Sequence, residues 1–485
     1  MTAAARNDGL AHHAHLVTML APLVVAAALL TQQPNQGVRQ FVSVSDSVVA
    51  LTNVRVIDGT GAAPRAGQTV VMKGGVIQSI GDAASAKIPA GARTMDLAGR
   101  TVMPGYVMLH EHLFYPSGGG AIYNEQGYSF PRLYLAGGVT TMRTAGNMSG
   151  YADIGIKKAI DEGTMVGPTV DVTAPYLEGP GLPIPQVKAL RDAADARKMV
   201  NYWADEGATS FKAYMHITRA ELGAAAQEAH KRNLKITGHL CSVTFKEAAA
   251  LGIDDLEHGF VVASDFVPDK KPDECPAGNA VQRSIAALDV NGAGARDLIA
   301  ELVRRKVAIT STLTIFETFA ASMPNAPTKA LDALLPEARR QYEQRRAAIA
   351  QSPDTTWNVL VRKEMQLEKM FADAGGLLVV GTDPTGFGGV VAGYSNQRAL
   401  ELLVQAGFTP VEAIKVATLN GAKYLGRDAK IGTLAAGKQA DLVVVRGDPS
   451  TKIDDVENVE IVFKGGVGYD SAKIFESVKG RVGLH

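Results

Sequence analysis

Two histidines separated by one residue lie in the stretch Gly105–Leu113, GYVMLHEHL. The apolar run YVML before them is typical of a short buried strand. Because residues two apart in a strand point to the same side, His110 and His112 project together and Glu111 points away. Two imidazoles that converge in this way can chelate a divalent metal. A solvated or core histidine pair is the alternative, so this interpretation depends on partners elsewhere in the chain.

The elements that would position these histidines alternate along the middle of the chain. Eight apolar strands are predicted there, and helical patterns lie between them. The strands are VMPGYVMLH, VTTMRTAG, PTVDVTAP, ATSFKAYM, LKITGHL, DDLEHGF, KVAITSTL and LLVVGTDP. The helical patterns cover residues 185–206, 218–232 and 283–305. This alternation predicts an α/β protein with a (β/α)8 TIM barrel over residues 105–427.

Two insertions interrupt this alternation. A loop rich in proline and lysine covers residues 264–281 after strand six. A segment rich in alanine, glutamate, arginine and glutamine covers residues 325–375 after strand seven and predicts long helices. Both insertions follow the carboxyl ends of strands, so both are expected over the catalytic face of the barrel.

Short strands and turns occupy both ends of the chain. In residues 47–104, segments such as VVALTNVRVIDGTG alternate apolar and polar residues and break at glycines. Residues 428–485 repeat this pattern in IGTLAAGKQADLVVVRGDP. Two β segments at opposite ends of a chain can pair, so we predict that they form one small β-sandwich domain that brackets the barrel.

Residues of metal-binding types occur on several of the predicted strands, at the end where barrel enzymes carry their chemistry. Each residue also has an ordinary structural alternative. His239 or His258 could be a core histidine, Asp383 could cap a helix before Pro384, and Lys212 could be a surface lysine. All of these alternatives would have to occur at the same end of the barrel, which favours a metal site. The residues are His110 and His112 on strand one, Lys212 on strand four, His239 on strand five, His258 on strand six and Asp383 on strand eight.

Lys212 differs from the other members because it would be a buried cation beside metal ions. Burying such a charge is unfavourable. Reaction of the amine with carbon dioxide makes a carbamate, an anion whose two oxygens can bridge two metals. We therefore predict that Lys212 is carboxylated and acts as a ligand.

The order H-x-H, Lys, His, His, Asp along these strands resembles the amidohydrolase superfamily in its binuclear, carboxylated-lysine form. The terminal segments NVRVIDGTG, VMPG and IGTLAAGKQADLVVV are similar to it as well. VTTMRTAG and TPVEAIKVATLNGAKYLG resemble the imidazolonepropionase-like branch, which includes Xaa-Pro dipeptidases, carboxypeptidases and ochratoxin-cleaving amidases. Thr144 departs from the pattern, because relatives often carry aspartate there.

This resemblance implies two divalent metal ions bridged by a hydroxide, and zinc is the metal expected for nitrogen and oxygen ligands. Such a pair makes a strong nucleophile from water and polarises the scissile carbonyl. Asp383 would take the proton of the hydroxide and pass it to the leaving nitrogen. The ligands would be His110, His112 and Asp383 for the more buried ion, His239 and His258 for the more exposed ion, and carboxylated Lys212 for both.

Substrate recognition is predicted from the residues that follow Lys212. Tyr214 lies two residues further along and points to the same side of the strand. Its hydroxyl is expected to bind a substrate carboxylate or the developing oxyanion. His216 lies two residues after Tyr214, so its side chain is expected to point to this side as well. Packing of both side chains under a loop is the alternative.

The predicted function is hydrolysis of an amide bond in a dipeptide or N-acyl amino acid, including ochratoxin-like amides. A mononuclear deaminase or cyclic-amide hydrolase is the alternative enzyme, but one metal needs no bridging carbamate on Lys212. An inactive structural scaffold is a further alternative, which the presence of all six ligand positions disfavours. The expected partner is a small amide or dipeptide, and we expect a homo-oligomer.

Composition argues against several classes of protein. The 485 residues carry a formal net charge of zero, which disfavours an electrostatic nucleic-acid binder. Hydrophobic residues make up 46% and there are 50 glycines, as in a globular enzyme with many turns. Cys241 and Cys275 are too few for a disulfide framework or a cysteine-rich zinc module. Two unpaired thiols are the favoured prediction, and a single bridge is the alternative.

The N-terminal segment predicts export. Residues 17–30, VTMLAPLVVAAALL, match the core of a signal peptide in length and are short for a membrane span. Arg6 precedes this core and the polar stretch TQQPNQG follows it. We therefore predict that residues 1–46 are a signal peptide and linker. The mature protein would be periplasmic or secreted and free of the membrane, and an uncleaved anchor is the alternative.

Overall fold

The computed structural model describes residues 36–117, 122–182 and 184–483. The predicted signal-peptide core at residues 17–30 lies outside the described residues. Within the described part of the chain, no helix combines the length and the hydropathy needed to cross a membrane.

Nineteen strands occur in the described residues. The first nine are β1 (Val42–Val44), β2 (Val48–Val56), β3 (Arg65–Lys73), β4 (Val76–Asp82), β5 (Arg93–Asp96), β6 (Arg100–Pro104), β7 (Tyr106–Glu111), β8 (Phe114–Ser117) and β9 (Ile122–Glu125). The others are β10 (Val139–Thr144), β11 (Thr169–Asp171), β12 (Ser210–Ala213), β13 (Lys235–Gly238), β14 (Asp255–Glu257), β15 (Ala308–Ser311), β16 (Leu378–Val380), β17 (Leu442–Arg446), β18 (Val459–Lys464) and β19 (Val467–Asp470).

The α-helices of the described residues lie mostly between the strands of the middle region. The first eight are α1 (Gln36–Arg39), α2 (Phe130–Ala136), α3 (Gly150–Asp161), α4 (Ala193–Asp205), α5 (Arg219–Lys231), α6 (Phe245–Leu251), α7 (Ala280–Ala287) and α8 (Ala293–Arg305). The others are α9 (Leu313–Glu317), α10 (Thr328–Leu331), α11 (Pro336–Gln351), α12 (Thr356–Asp373), α13 (Tyr394–Gln405), α14 (Pro410–Lys415), α15 (Gly421–Tyr424) and α16 (Ser471–Ser477).

Eight parallel strands run through the middle of the chain in the predicted order. Strands β7, β10 and β11 form one parallel sheet, and β12 to β16 form a second. A parallel bridge between Thr173 and Ser210 connects the two sheets. After β16, the amides of Thr382 and Asp383 donate to the carbonyl of His110 in β7 at 3.0 and 3.1 Å. All eight predicted strands are therefore observed, and the α/β class is confirmed.

Side chains that bind free backbone amides determine where the helices between these strands begin. Thr218 accepts from the amide of Glu221 and the Glu221 side chain binds back, so α5 begins where the pattern at 218–232 predicts. Asp192 caps α4 in a similar way, by accepting from the amide three residues later. The helix predicted over 185–206 is therefore shorter than expected, because the residues before Asp192 form a loop.

Two helices replace the single one predicted at 283–305. The chain is extended at Leu288 and again at Gly292, which separates α7 from α8. The insertion at 325–375 contains α10, α11 and α12, as predicted. The insertion at 264–281 is irregular apart from a 3₁₀ turn at Ser264–Phe266 and the start of α7.

Strands from both ends of the chain share one nine-stranded sheet. Its order is β1-β19-β18-β17-β6-β2-β3-β4, with β5 beside β2. Strand β17 pairs antiparallel with β6, so that Leu442 lies opposite Pro104. Apolar side chains from both ends, among them Val54, Val70 and Phe463, form one buried cluster on this sheet. The two terminal β segments therefore pair, as the sequence predicts.

The prediction of two unpaired thiols is wrong, because Cys241 and Cys275 form a disulfide with their Cα atoms 4.9 Å apart. Cys241 lies just after the end of β13, and Cys275 belongs to the insertion at 264–281, which folds back over the neighbouring strand end. Lys270 of this insertion donates to the carbonyl of Ser242 at 2.5 Å. A separation of 34 residues gives no sign of this proximity in the sequence.

Candidate metal centre

His110 near the end of β7 and His112 just after it are both buried at the carboxyl end of the strand. Nδ1 of His112 lies 3.0 Å from the carbonyl of Gly146, and Tyr134 donates to the His112 carbonyl at 2.9 Å. These contacts orient the ring so that Nε2 of His112 faces the carboxylate of Asp383 at 3.3 Å. Glu111 points away from them, and its carboxylate accepts from Asn396 at 2.9 Å.

Asp383 follows β16 with a φ of 52°, a left-handed conformation that aspartate and asparagine tolerate better than most residues. Its Oδ1 accepts from the Thr385 hydroxyl at 2.9 Å and lies 3.6 Å from Nε2 of His110. Its Oδ2 lies 3.6 Å from Nδ1 of His258. The backbone turn therefore directs one carboxylate between histidines from two other strands.

His239 and His258 follow the neighbouring strands β13 and β14, and their ring centroids are 4.3 Å apart. His258 also has a positive φ, of 70°, and its Nδ1 lies 3.0 Å from the Thr312 hydroxyl. The insertion helix α12 supports this turn, because Glu364 accepts from the amide of Phe260 at 2.8 Å. Asp383 and His258 therefore both have a strained backbone conformation, which the surrounding contacts hold in place. Such strain is typical of a functional site.

Lys212 in β12 is buried among these residues, and its Nζ lies 2.5 Å from Oε2 of Glu257. Glu257 also accepts from buried Arg143 at 2.8 Å and from Thr237 at 2.8 Å. Although burial opposes its charge, the Lys212 cation, with His110 and Arg143, lowers the pKa of Glu257 to about 2. Sequence reasoning missed this counter-ion, for which the only signal was an acidic residue next to His258 in a buried strand.

Burial favours the neutral form of all four histidines. Burial, with the charge of Lys212, lowers the pKa of His110 to about 4 and that of His239 to about 3. Burial also lowers the pKa of His112, and it lowers the pKa of His258 well below its usual value. Neutral imidazoles and an ionised carboxylate are the protonation states that bind a divalent metal.

These donors fit a divalent metal ion. Ligand atoms of His110, His258 and Asp383 lie within 4.8 Å of one another, and all three residues are buried. Both ring nitrogens of His110 are buried without a hydrogen-bond partner. Such unsatisfied nitrogens are unfavourable unless a further group binds them. Imidazole nitrogen and carboxylate oxygen are donors that suit zinc.

The two predicted substrate-binding residues differ in their surroundings. Tyr214 lines the pocket above the donors, and its ring centroid lies 5.0 Å from that of His239. His216 lies outside the lining of that pocket, with Nδ1 3.3 Å from Glu178. Thr144, where the resemblance leads us to expect aspartate, accepts from the amide of Thr173 at 3.0 Å and links β10 to the segment after β11.

The wall of this pocket is mostly aromatic, and sequence reasoning missed most of it. Phe114 and Tyr123 come from the hairpin β8–β9, which directly follows the H-x-H motif. The alternating segments FYPS and IYNE around a glycine run were the sequence signal for this hairpin. The other aromatic members besides Tyr214 are Tyr176, Phe316 and Phe319.

Comparison with solved structures finds several proteins of similar fold. The chain is similar to a putative prolidase from Bifidobacterium longum with a TM-score of 0.64 and 23% identity, covering 89% of this chain and 99% of that one. A Xaa-Pro dipeptidase with bound methionine in its active site gives 0.66 at 20% identity, covering 87% and 100%. A. niger ochratoxinase gives 0.60 at 18% identity, covering 87% and 96%. At these identities the likeness concerns the fold.

Sequence comparison gives a short match to curated proteins and a long match to a family. An adenine deaminase from Mesorhizobium japonicum is 35% identical over 75 residues, which are 16% of this chain and 12% of that protein. The amidohydrolase family model matches residues 101–468. The predicted membership of the amidohydrolase superfamily is thereby confirmed. Since the match spans more than half of the 485 residues, the protein belongs to the amidohydrolase family.

Proposed function

We propose that this protein is a metal-dependent hydrolase of amide bonds that uses two divalent ions, with zinc as the natural metal. The observation that carries the proposal is the convergence of six metal-type residues at one end of the parallel strands. Membership of the amidohydrolase family supports it. The resemblance indicates a dipeptide or an N-acyl amino acid, including ochratoxin-like amides, as the class of substrate.

Each of the six residues has a proposed role in holding the metals. His110, His112 and Asp383 would bind the more buried ion, and His239 and His258 the more exposed one. Lys212 would bridge both as a carbamate. When bound, the ions polarise the scissile carbonyl and lower the pKa of a water molecule.

Asp383 has a second proposed role as the proton carrier. Its carboxylate faces His110, His112 and His258 from the floor of the pocket. It would take a proton from the attacking water and deliver it to the leaving nitrogen, which leaves poorly as an anion. The Tyr214 hydroxyl would bind the oxygen on which charge develops. The surrounding aromatic wall limits access of bulk water, which strengthens these interactions.

The finer architecture is also part of the proposal. The parallel bridge between Thr173 and Ser210 joins the two parallel sheets, and the backbone hydrogen bonds from Thr382 and Asp383 to His110 join the end of β16 to β7. Both contacts support closure of the parallel strands of residues 105–427 into one (β/α)8 barrel. The buried cluster on the terminal sheet supports a β-sandwich built from residues 47–104 and 428–485. Export with removal of a signal peptide remains a prediction, and the disulfide is consistent with an oxidising compartment.

A mononuclear deaminase is the second candidate, and the short match to an adenine deaminase favours it. A panel of substrates separates the two. Protein supplied with zinc and bicarbonate is expected to cleave members of a set of dipeptides, N-acyl amino acids and anilides, and to lose this activity when a chelator removes the metal. Ammonia release from adenine without amide cleavage would contradict the proposal and support the deaminase.

A further inference from the structure

A second cleft adjoins the pocket above the metal donors. We propose that this cleft binds the remote end of the substrate, and that this end is an aromatic ring on the acyl side of the scissile amide. The inference rests on the proposed amide hydrolysis and deepens it. It selects, among the N-acyl amino acids named above, those with an acyl chain long enough to carry a ring beyond the pocket.

Segments that follow the carboxyl ends of two neighbouring strands build this cleft. Residues 147–151 follow β10, residues 175–188 follow β11, and helix α4 supplies a further side. In barrel enzymes, the loops at this end of the strands form the substrate site. The side chains of Met148 and Tyr176 line both the cleft and the pocket, so the two spaces share a wall.

One loop runs along both spaces and is attached to the hairpin β8–β9. Ile184 lines the pocket, and residues 186–188 line the cleft. The Gln186 side chain accepts from the amide of Tyr123 at 3.1 Å and donates to its carbonyl at 3.2 Å. Since Tyr123 lines the pocket, these bonds join the wall of the cleft to the wall of the pocket. The two spaces therefore belong to one continuous binding surface.

The pocket alone is too small for a whole N-acyl amino acid. Its volume is about 150 Å³, and that of the cleft is about 310 Å³. An apolar cavity of about 150 Å³ binds one benzene molecule, and bound metal ions would occupy part of this pocket. Sites for small organic molecules commonly have about 300–1,000 Å³. A substrate that reaches the metal donors therefore extends out of the pocket, and the cleft is an adjoining space that can receive it.

The charge of the metal ions determines which end of the substrate lies in the pocket. When bound, the proposed ions supply positive charge beside the histidines and Asp383, which attracts the scissile carbonyl and the carboxylate of the amino acid. In an N-acyl amino acid, this carboxylate lies one carbon away from the amide nitrogen. Both polar groups are therefore drawn to the metal end, and the acyl chain is the part that extends toward the cleft.

The described wall of the cleft suits an aromatic ring. The rings of Trp203 and Tyr151 lie 5.0 Å apart between centroids, and Tyr151 is 52% exposed, so its ring is accessible to a ligand. Met148 and Met199 add thioether side chains, which make favourable contacts with aromatic rings. A ring bound in the cleft can contact aromatic faces or edges and sulfur atoms together, which gives more attraction than apolar burial alone.

A series of acyl chains tests the inference. The amino acid that the substrate panel identifies is acylated with phenylacetyl, 3-phenylpropanoyl, 4-phenylbutanoyl and 5-phenylpentanoyl groups, so that only the reach of the ring changes. We expect kcat/KM to rise by at least about tenfold from the phenylacetyl compound to the best longer member, because burial of an aromatic ring gives a gain of about that size. A rate that does not rise, or that rises equally for aliphatic chains of the same lengths, would overturn the inference.

Ser149→Phe is a variant that fills the cleft. Ser149 is exposed in the lining of the cleft, and within the described structure its side chain makes no capping bond to α3. The gain from the ring is expected to be largely lost in this variant. Ser79→Phe is the matched control, because Ser79 is exposed in β4 of the terminal sheet, and it is expected to retain the gain. An undiminished gain in Ser149→Phe would contradict binding of the ring in the cleft.

The two tryptophans of the chain report on the two spaces separately. Trp203 lines the cleft, whereas Trp357 packs on Phe316 and Phe319 of the pocket wall at 5.6 and 4.8 Å between centroids. Zinc-loaded Trp357→Phe is titrated with 4-phenylbutanoate, which carries the ring but no amide, and with butanoate as the control. We expect the emission of Trp203 to change with 4-phenylbutanoate alone. A change seen only for Trp357, in the Trp203→Phe protein, would locate the ring in the pocket and overturn the inference.

Failure of the proposed function has a different signature. In that case the zinc-loaded protein would cleave no member of the acyl series, whereas Trp203 would still respond to 4-phenylbutanoate. If amides are cleaved at rates that do not depend on the ring, and Trp203 does not respond, the proposed function stands and the inference about the cleft is wrong.

Discussion

Replacing Asp383 with asparagine is expected to lower kcat on an amide substrate by at least about 10²–10⁴-fold, the usual contribution of general acid–base catalysis. Asparagine keeps the size of the side chain and tolerates the φ of 52° at this position. The variant should therefore fold and retain much of its metal. What it loses is a group that accepts a proton from water and donates it to the leaving nitrogen.

Comparison of two substrates isolates this role. An activated ester needs little protonation of its leaving group, so Asp383→Asn should slow ester hydrolysis less than amide hydrolysis. Asp153→Asn is a suitable control, because Asp153 is also a buried carboxyl but binds Asn147 outside the pocket lining. Equal loss on ester and amide with both metals retained would contradict leaving-group protonation by Asp383. Unchanged amidase activity would require a different assignment of the site.

Lys212→Ala is expected to weaken metal binding and to lower amidase activity by more than about 100-fold, because even residues that only support metal ligands commonly contribute 10–100-fold. The variant removes the side chain that would carry the bridging carbamate, whose Nζ lies 2.5 Å from Oε2 of buried Glu257. A short carboxylate such as acetate is expected to restore part of the metal binding and activity, because it can replace the carbamate oxygens.

Lys464→Ala is the matched control for this variant. Lys464 is partly buried, and it donates to the carbonyl of Gly167, away from the pocket. Lys464→Ala measures the effect of shortening a partly buried lysine that lies away from the pocket. This variant is expected to keep its metal content and its activity. A Lys212→Ala enzyme with full activity would rule out the bridging role.

The metal-type residues could be predicted because their geometry follows from local rules. The two-residue period of a strand directs His110 and His112 to one side, and parallel strands of a barrel bring their carboxyl ends together. Apolar runs between helical patterns locate those ends without knowledge of the packing. The side chains from β7, β12, β13, β14 and β16 therefore meet, as the order of the motifs indicates.

The wall of the pocket and the support of the ligands depend on contacts between distant segments, which no local pattern specifies. Glu257 becomes the partner of Lys212 only because β14 lies two strands from β12 across the buried interior. Glu364 reaches the turn after His258 from an insertion helix about a hundred residues later, at a sequence separation of 104 from Phe260. The disulfide likewise depends on how the insertion at 264–281 folds back.

The substrate-binding prediction illustrates the same limit. Strand alternation aims Tyr214 and His216 to one side, but β12 ends at Ala213 and the chain turns before His216. Tyr214 therefore remains in the pocket lining, while His216 lies beside Glu178. A periodicity argument applies only as far as the strand continues.

The number of metal ions per chain tests the central claim most directly. Protein purified in the presence of zinc and bicarbonate is analysed for its elemental composition after unbound metal has been removed. The convergence of four histidines and Asp383, together with the carbamate proposed on Lys212, predicts two zinc ions per chain. A stoichiometry of one that does not change when zinc is supplied in excess would contradict the binuclear site.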